Sequence, residues 1–269
     1  MARAIARILR GPKLVTIIGL VLLTLLAWAW LVVGAGTQQG AQYSLYPFTP
    51  APPGQGTAMA MGDWSLGNLA ITISMWWVMM IAMMIPAAAP VVLLYDRSYR
   101  VSHSDTKSPV WQFVAGYLLL WGAFSSLAGL LQIALGQAAF LTMGLMALEA
   151  PMIAMIVLIA AGIYQITPVK RACLERCRNP AQFIARFQSP GAVGAFRLGL
   201  IHGLYCVGCC WVVMLLLFVG GVMNLVWVTI LTLLVTAEKL LPRGRLVAST
   251  LGLGFILWGG RGLLAAWTS

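Results

Sequence analysis

The sequence predicts an all-α protein: a polytopic transmembrane helical bundle of about seven spans, with its N-terminus on the cytoplasmic side. Three observations carry this. Of 269 residues, 61% are hydrophobic and only 9% charged, and mean hydropathy is +0.92. A soluble globular domain carries roughly 25% charged and about 45–50% apolar residues, so a water-soluble enzyme of ordinary composition and a disordered chain are both excluded. Seven apolar stretches stand near the length of about 20 residues that crosses a bilayer: 14–34, 66–92, 111–135, 145–167, 198–220, 224–241 and 247–267. Finally, the basic residues alternate with these stretches.

The placement of the charges gives the orientation. Four Lys/Arg precede the first stretch, three lie between the second and third, six between the fourth and fifth, and three between the sixth and seventh. The connections at 35–65, 136–144 and 221–223 carry none. By the positive-inside rule the basic side is the cytoplasm. The net charge of +11 thus belongs to loops facing one side, and no nucleic-acid partner is needed to explain it. Arg261 is the exception, inside the last stretch.

Backbone groups in lipid pair within their own segment, so each stretch is expected to be a helix. None alternates polar and apolar residues as barrel strands do. The run Leu14–Val33 exceeds the 7–15-residue core of a signal peptide and is expected to be a retained first helix. The segment 35–65, with Pro47, Pro50, Pro52 and Pro53, is expected to be an extracytoplasmic loop in turn and extended conformations. Residues 168–197 form the longest basic cytoplasmic segment. Within it Phe183, Ile184 and Phe187 share one helical face, as in an amphipathic helix lying on the inner membrane surface. The whole of 1–269 is expected to be a single integral membrane domain.

Sulfur-bearing residues are the candidates for chemistry. In the second span Met75, Met79 and Met83 repeat every four residues on one face, and Met80 and Met84 form an adjoining stripe. Thioethers are soft ligands suited to Cu(I), although Met is also a common packing residue. Pro86 and Pro90 are expected to weaken this helix toward its inner end. In the fifth span His202, Cys206 and Cys210 repeat every four residues, with Cys209 on the same general face and Met214 continuing the row. An imidazole, three thiols and a thioether on one stripe are the ligand types of Cu(I) and Zn(II). The centres of the second and fifth spans fall near Met79 and Cys209, so both groups are expected near the bilayer midplane, where reactive groups are functional candidates.

A third group, Cys173 and Cys177, stands at i, i+4 among Lys170, Arg171, Arg176 and Arg178. The flanking bases are expected to favour thiolate, the form that binds metal. Glu238, beside Lys239 at the inner end of the sixth span, is expected to pair with a base or to serve as a ligand or proton carrier. Asn224 reads as a helix cap, and Tyr164 and Gln165 as lining of an inner vestibule. No phosphate-binding glycine loop, Ser/His/Asp set or paired carboxylates are present. Of the two histidines, His103 lies in a loop, which argues against a bis-His haem.

These segments together resemble a bacterial family of predicted metal-binding integral membrane proteins of unknown function. The similarity runs through Met75 to Pro90, Tyr164 to Cys177, His202 to Asn224 with its Tyr205-Cys206-Val207-Gly208-Cys209-Cys210-Trp211 core, and Glu238-Lys239. It implies a metal-linked role, most simply with copper, in the bacterial cytoplasmic membrane. Three functions follow. One is handling of a soft metal, Cu(I) or alternatively Zn(II), for transport or delivery to a metalloenzyme or metallochaperone. Another is an accessory subunit of a larger membrane complex. The last is a membrane thiol oxidoreductase, disfavoured because all five cysteines fall at the midplane or toward the inner side.

Overall fold

The computed structural model describes residues 14–34, 65–102, 108–141 and 146–268. The described chain is helical: α1 (Leu14–Val32), α2 (Leu66–Ser102), α3 (Val110–Gln137), α4 (Pro151–Ile166), α5 (Pro168–Arg178), α6 (Pro180–Phe187), α7 (Gly191–Leu215), α8 (Leu217–Gly220), α9 (Leu225–Leu240) and α10 (Gly244–Thr268). Among the described residues there is no strand, only an isolated bridge between Leu141 and Leu148. The expected outer segment at 35–64 lies outside the described residues.

Local chemistry sets the helix boundaries. Pro151, Pro168 and Pro180 each sit in the first turn of a helix, where a missing N–H costs nothing. Thr167, the residue before Pro168, is held extended at φ −67° and ψ 150°, because the proline ring disfavours the α region there. That break turns α5 by 62° from the axis of α4. The Thr167 hydroxyl then caps α5 by accepting from Lys170 N–H at 3.3 Å. Asn224 caps α9 as expected, accepting from Trp227 N–H at 3.1 Å. Pro86 and Pro90 do not end α2, which runs on for 37 residues to Ser102.

Among the described residues five helices are long and apolar enough to cross a membrane: α1, α2, α3, α7 with α8, and α10; the bent pair α4–α5 makes a sixth if counted as one span. The sequence predicts seven. The shortfall has a local cause: α4 and α9 are 16 residues each, about 24 Å at 1.5 Å per residue. Both stop in an extended residue just before a proline, Thr167 before Pro168 and Leu241 before Pro242.

The outer surface is apolar and part of the interior is polar. Leu22, Leu25, Leu26, Leu119, Leu127, Ile156, Leu233, Leu253 and Leu257 point outward, while Asp96, Gln165, Lys170, His202, Glu238 and Lys239 are buried. Helices approach one another through glycine. Gly199 and Gly203, four apart on α7, face α3, and Gly116 of α3 faces α7. A Cβ at Gly199 would run into the Phe113 carbonyl, and one at Gly116 into the Phe196 carbonyl. The same device joins α4 to α10 at Gly162 and Gly252. Such small-residue contacts let backbones pack closely where lipid offers no hydrophobic drive. At the other edge, Thr16 of α1 donates to Asp96 of α2 at 3.1 Å, and Asp96 also pairs with Arg100.

The α3–α7 crossing is therefore intolerant of side chains. Gly199→Ala is expected to destabilise the protein by about 1–3 kcal/mol, measured as a lower midpoint of thermal unfolding in detergent. Gly254→Ala, which meets open space, is expected to leave the midpoint unchanged or raise it.

Candidate metal site: a buried thiol cluster

The bend at Thr167 lays α5 across α7, and this brings the two cysteine groups together. Cys206, Cys209 and Cys210 are all buried on α7. Cys173 of α5 rests on Gly208, whose absent side chain leaves room for it: a Cβ there would lie 3.1 Å from Cys173 Sγ. Cys177, one turn on, is buried within interaction range of the Cys206 and Cys209 thiols. Tyr164 of α4 donates to the Gly208 carbonyl and stabilises the same crossing. All five cysteines are free.

Within the cluster, Cys206 is the hub. Its sulfur lies 3.1 Å from the Tyr117 hydroxyl of α3 and 2.8 Å from Lys239 Nζ of α9. Cys209 Sγ is 3.2 Å from Cys210 Sγ and donates to the Cys206 carbonyl at 3.2 Å. Tyr117 also donates to the Met84 carbonyl at 3.3 Å, so one hydroxyl bridges the methionine helix and the thiols. Met75, Met79 and Met83, with Met80 and Met84, are fully buried. They face the protein interior and belong to the same core as the cysteines.

His202, one turn before Cys206, is enclosed by aromatic rings. Its centroid lies 5.9 Å from Phe113, 5.5 Å from Tyr117 and 5.2 Å from Phe183. Its Nδ1 is buried with no hydrogen-bond partner among the described residues, which leaves that nitrogen available. Among the described residues, no group of three or more His, Cys, Asp or Glu is spaced for a metal ion. The thiols are gathered without forming a ligand shell.

Lys239 reaches Cys206 because α9 is clamped. Glu238, its neighbour, accepts from Lys170 Nζ at 2.6 Å and from Gln165 Nε2 at 2.6 Å. Lys170 also donates to Gln165. Arg178 donates to the carbonyls of Glu238 at 2.8 Å and Pro242 at 2.7 Å. The expected pairing of Glu238 with a base is realised, and the base is Lys170 of another helix. Gln165 is sealed in this network rather than lining a vestibule.

Two further expectations are corrected. The bases around Cys173 and Cys177 were expected to favour thiolate. Lys170 and Arg178 are instead engaged at Glu238, and Arg176 lies over the Tyr205 ring at 5.6 Å. On α5, beyond the long apolar helices, burial pushes the Cys173 thiol up from its ordinary value. The apolar face of α6 does not meet lipid either. Phe183 and Ile184 are buried against the bundle, with Phe183 at 5.2 Å and 6.3 Å from His202 and Tyr205.

Tyr117 and Lys239 were missed as site residues, and Lys170 as a clamp. Lys170 and Lys239 were counted as loop charges, yet both are buried. The available signal was Glu238-Lys239 continuing an apolar run, where an ionisable pair needs partners inside the protein.

A family model, PpoB2, described as a copper chaperone, matches residues 73–261, more than two thirds of the chain. No curated protein and no solved structure matches it.

Breaking the clamp leaves a buried charge without its partner. Lys170→Met is expected to cost about 3–5 kcal/mol, seen as a lower unfolding midpoint. Lys170→Met combined with Glu238→Leu is expected to recover most of that loss.

Proposed function

The chain belongs to the PpoB2 copper chaperone family, and we propose that it binds Cu(I) inside the membrane and delivers it to a metalloenzyme. The observation that carries this is the convergence of five cysteines at the α5–α7 crossing, with Lys239 on Cys206. Thiolates and thioethers select Cu(I) over harder ions. Cys206, Cys209, Cys210 and Cys177 are the strong ligands, and His202 and Cys173 are flanking ones. Met75, Met79 and Met83 supply weaker thioether positions. Four thiols would also suit Zn(II); the buried thioethers of Met75, Met79 and Met83 are ligands for Cu(I) and not for zinc, which favours copper.

Lys239 has no carboxylate partner among the described residues, and its bond is to Cys206 sulfur. A buried ammonium needs a negative neighbour, and thiolate is the form that holds metal. Lys239 therefore orients and compensates Cys206 as a ligand. Binding replaces thiol protons with the ion, so affinity rises with pH. Exchange between neighbouring sulfurs moves the ion without exposing it to water. The apolar exterior is compatible with a site inside the bilayer, and the basic residues around α5 and α6 favour a cytoplasmic position for that end by the positive-inside rule.

Protein purified in detergent under reducing conditions and loaded with Cu(I) is expected to retain copper through gel filtration. The triple change Cys206→Ser, Cys209→Ser, Cys210→Ser is expected to lose at least nine-tenths of it, roughly the tenfold seen when ligand shells are disrupted. Equal, negligible copper in both samples would refute the proposal. Lys239→Met is expected to weaken affinity about 10-fold with the fold intact.

A further inference from the structure

Two cavities flank α5 at the basic end of the bundle, and they share Glu175 and Asn179. One, of about 340 Å3, holds Arg178, Arg243 and Arg245. Two of its guanidinium groups are already used, Arg178 on the Glu238 and Pro242 carbonyls and Arg245 on Glu175. The other, of about 380 Å3, is lined by Glu175, Arg176, Asn179, Gln182, Phe183 and Arg186. Here the arginines are unspent. Arg176 lies over the Tyr205 ring at 5.6 Å and Arg186 over the Phe187 ring at 5.6 Å. Neither has a carboxylate partner among the described residues. The one acid in the cavity, Glu175, is neutralised by Arg245.

Two guanidinium forks held on aromatic rings, with the Gln182 amide beside them and the Asn179 amide donating to the Glu175 carbonyl at 3.1 Å, make a carboxylate-binding arrangement. The volume suits a small molecule rather than a folded partner. Its position is also specific. Phe183, the apolar wall, is the ring that packs on His202. Arg176 is one turn from Cys173 on α5, and Cys173 is the only half-exposed cysteine.

We propose that this cavity binds a small carboxylate-bearing thiol carrying Cu(I) as its thiolate complex, and that the ion passes from it to Cys173. This rests on the copper-delivery function above and assigns the donor. In the exchange the bond from copper to the carrier sulfur breaks as the bond to Cys173 Sγ forms. The Cys173 proton leaves with the carrier, which departs as free thiol. Copper remains Cu(I) throughout, so no oxidant or reductant is required.

The test is titration calorimetry of the full chain in detergent with metal-free reduced glutathione as probe. Wild type is expected to show saturable binding, weakened tenfold or more in Arg176→Gln/Arg186→Gln. Arg176→Lys/Arg186→Lys, which keeps the charge, is expected to fall between them. Glutathione with both carboxylates amidated is expected not to bind. Equal affinity of wild type and the Gln variant, binding of the amidated probe, or displacement by equimolar inorganic phosphate would each overturn the assignment. Copper retention separates the two claims. A wild type that holds copper but not glutathione removes the carrier site alone, while one that holds no copper removes the copper function itself.

Discussion

The ion pair between Lys170 and Glu238, bonded at 2.6 Å and closed by Gln165, joins the end of α4, the start of α5 and the end of α9. Two opposite charges in an apolar interior are costly to bury and more costly to separate. The pair therefore tolerates few arrangements of these helix ends. Its position fixes the rotation of α9, which fixes where Lys239 points. It also anchors α5 near the bend, so that Cys173 and Cys177 descend onto α7 rather than into a loop. The thiol cluster depends on a charge contact that contains no sulfur.

Around that contact the bundle is assembled by close approach. Gly199, Gly203 and Gly116 bring α3 and α7 together, and Gly208 opens the space that Cys173 fills. Van der Waals packing and interhelical hydrogen bonds hold helices together in lipid. Tyr117 contributes both, stacking on His202 at 5.5 Å while touching Cys206 and the Met84 carbonyl. The result is a buried, sulfur-lined interior in which the Tyr117 hydroxyl links Cys206 to the methionine helix.

The same geometry explains how the two ends of the cluster differ. Cys206, Cys209 and Cys210 are sealed, with Lys239 on Cys206, whereas Cys173 is only half-buried. Arg176 and Arg186, on α5 and α6, are stacked on aromatic rings and have no acid partner among the described residues.

Much of this was legible in one dimension. Helix type, the apolar stretches, the Thr167-Pro168 and Asn224 boundaries and the sulfur rows on α2 and α7 follow from local rules: spacing, proline geometry and hydropathy act within a few residues. The span count was less legible, because Pro168 and Pro242 shorten α4 and α9 in ways that hydropathy ignores. What only the tertiary structure decided is which charges are buried and which sulfurs meet. Lys170 and Lys239 look like loop charges until partners 68 and 33 residues away in sequence enclose them. The apolar face of α6 looks membrane-bound until His202 and Tyr205 cover it. Pairing across helices depends on the 62° bend and on glycine contacts that no local pattern encodes. The sequence by itself determined which sulfur-bearing residues share a helix face; the fold determined that α5, with Cys173 and Cys177, lies against the cysteines of α7.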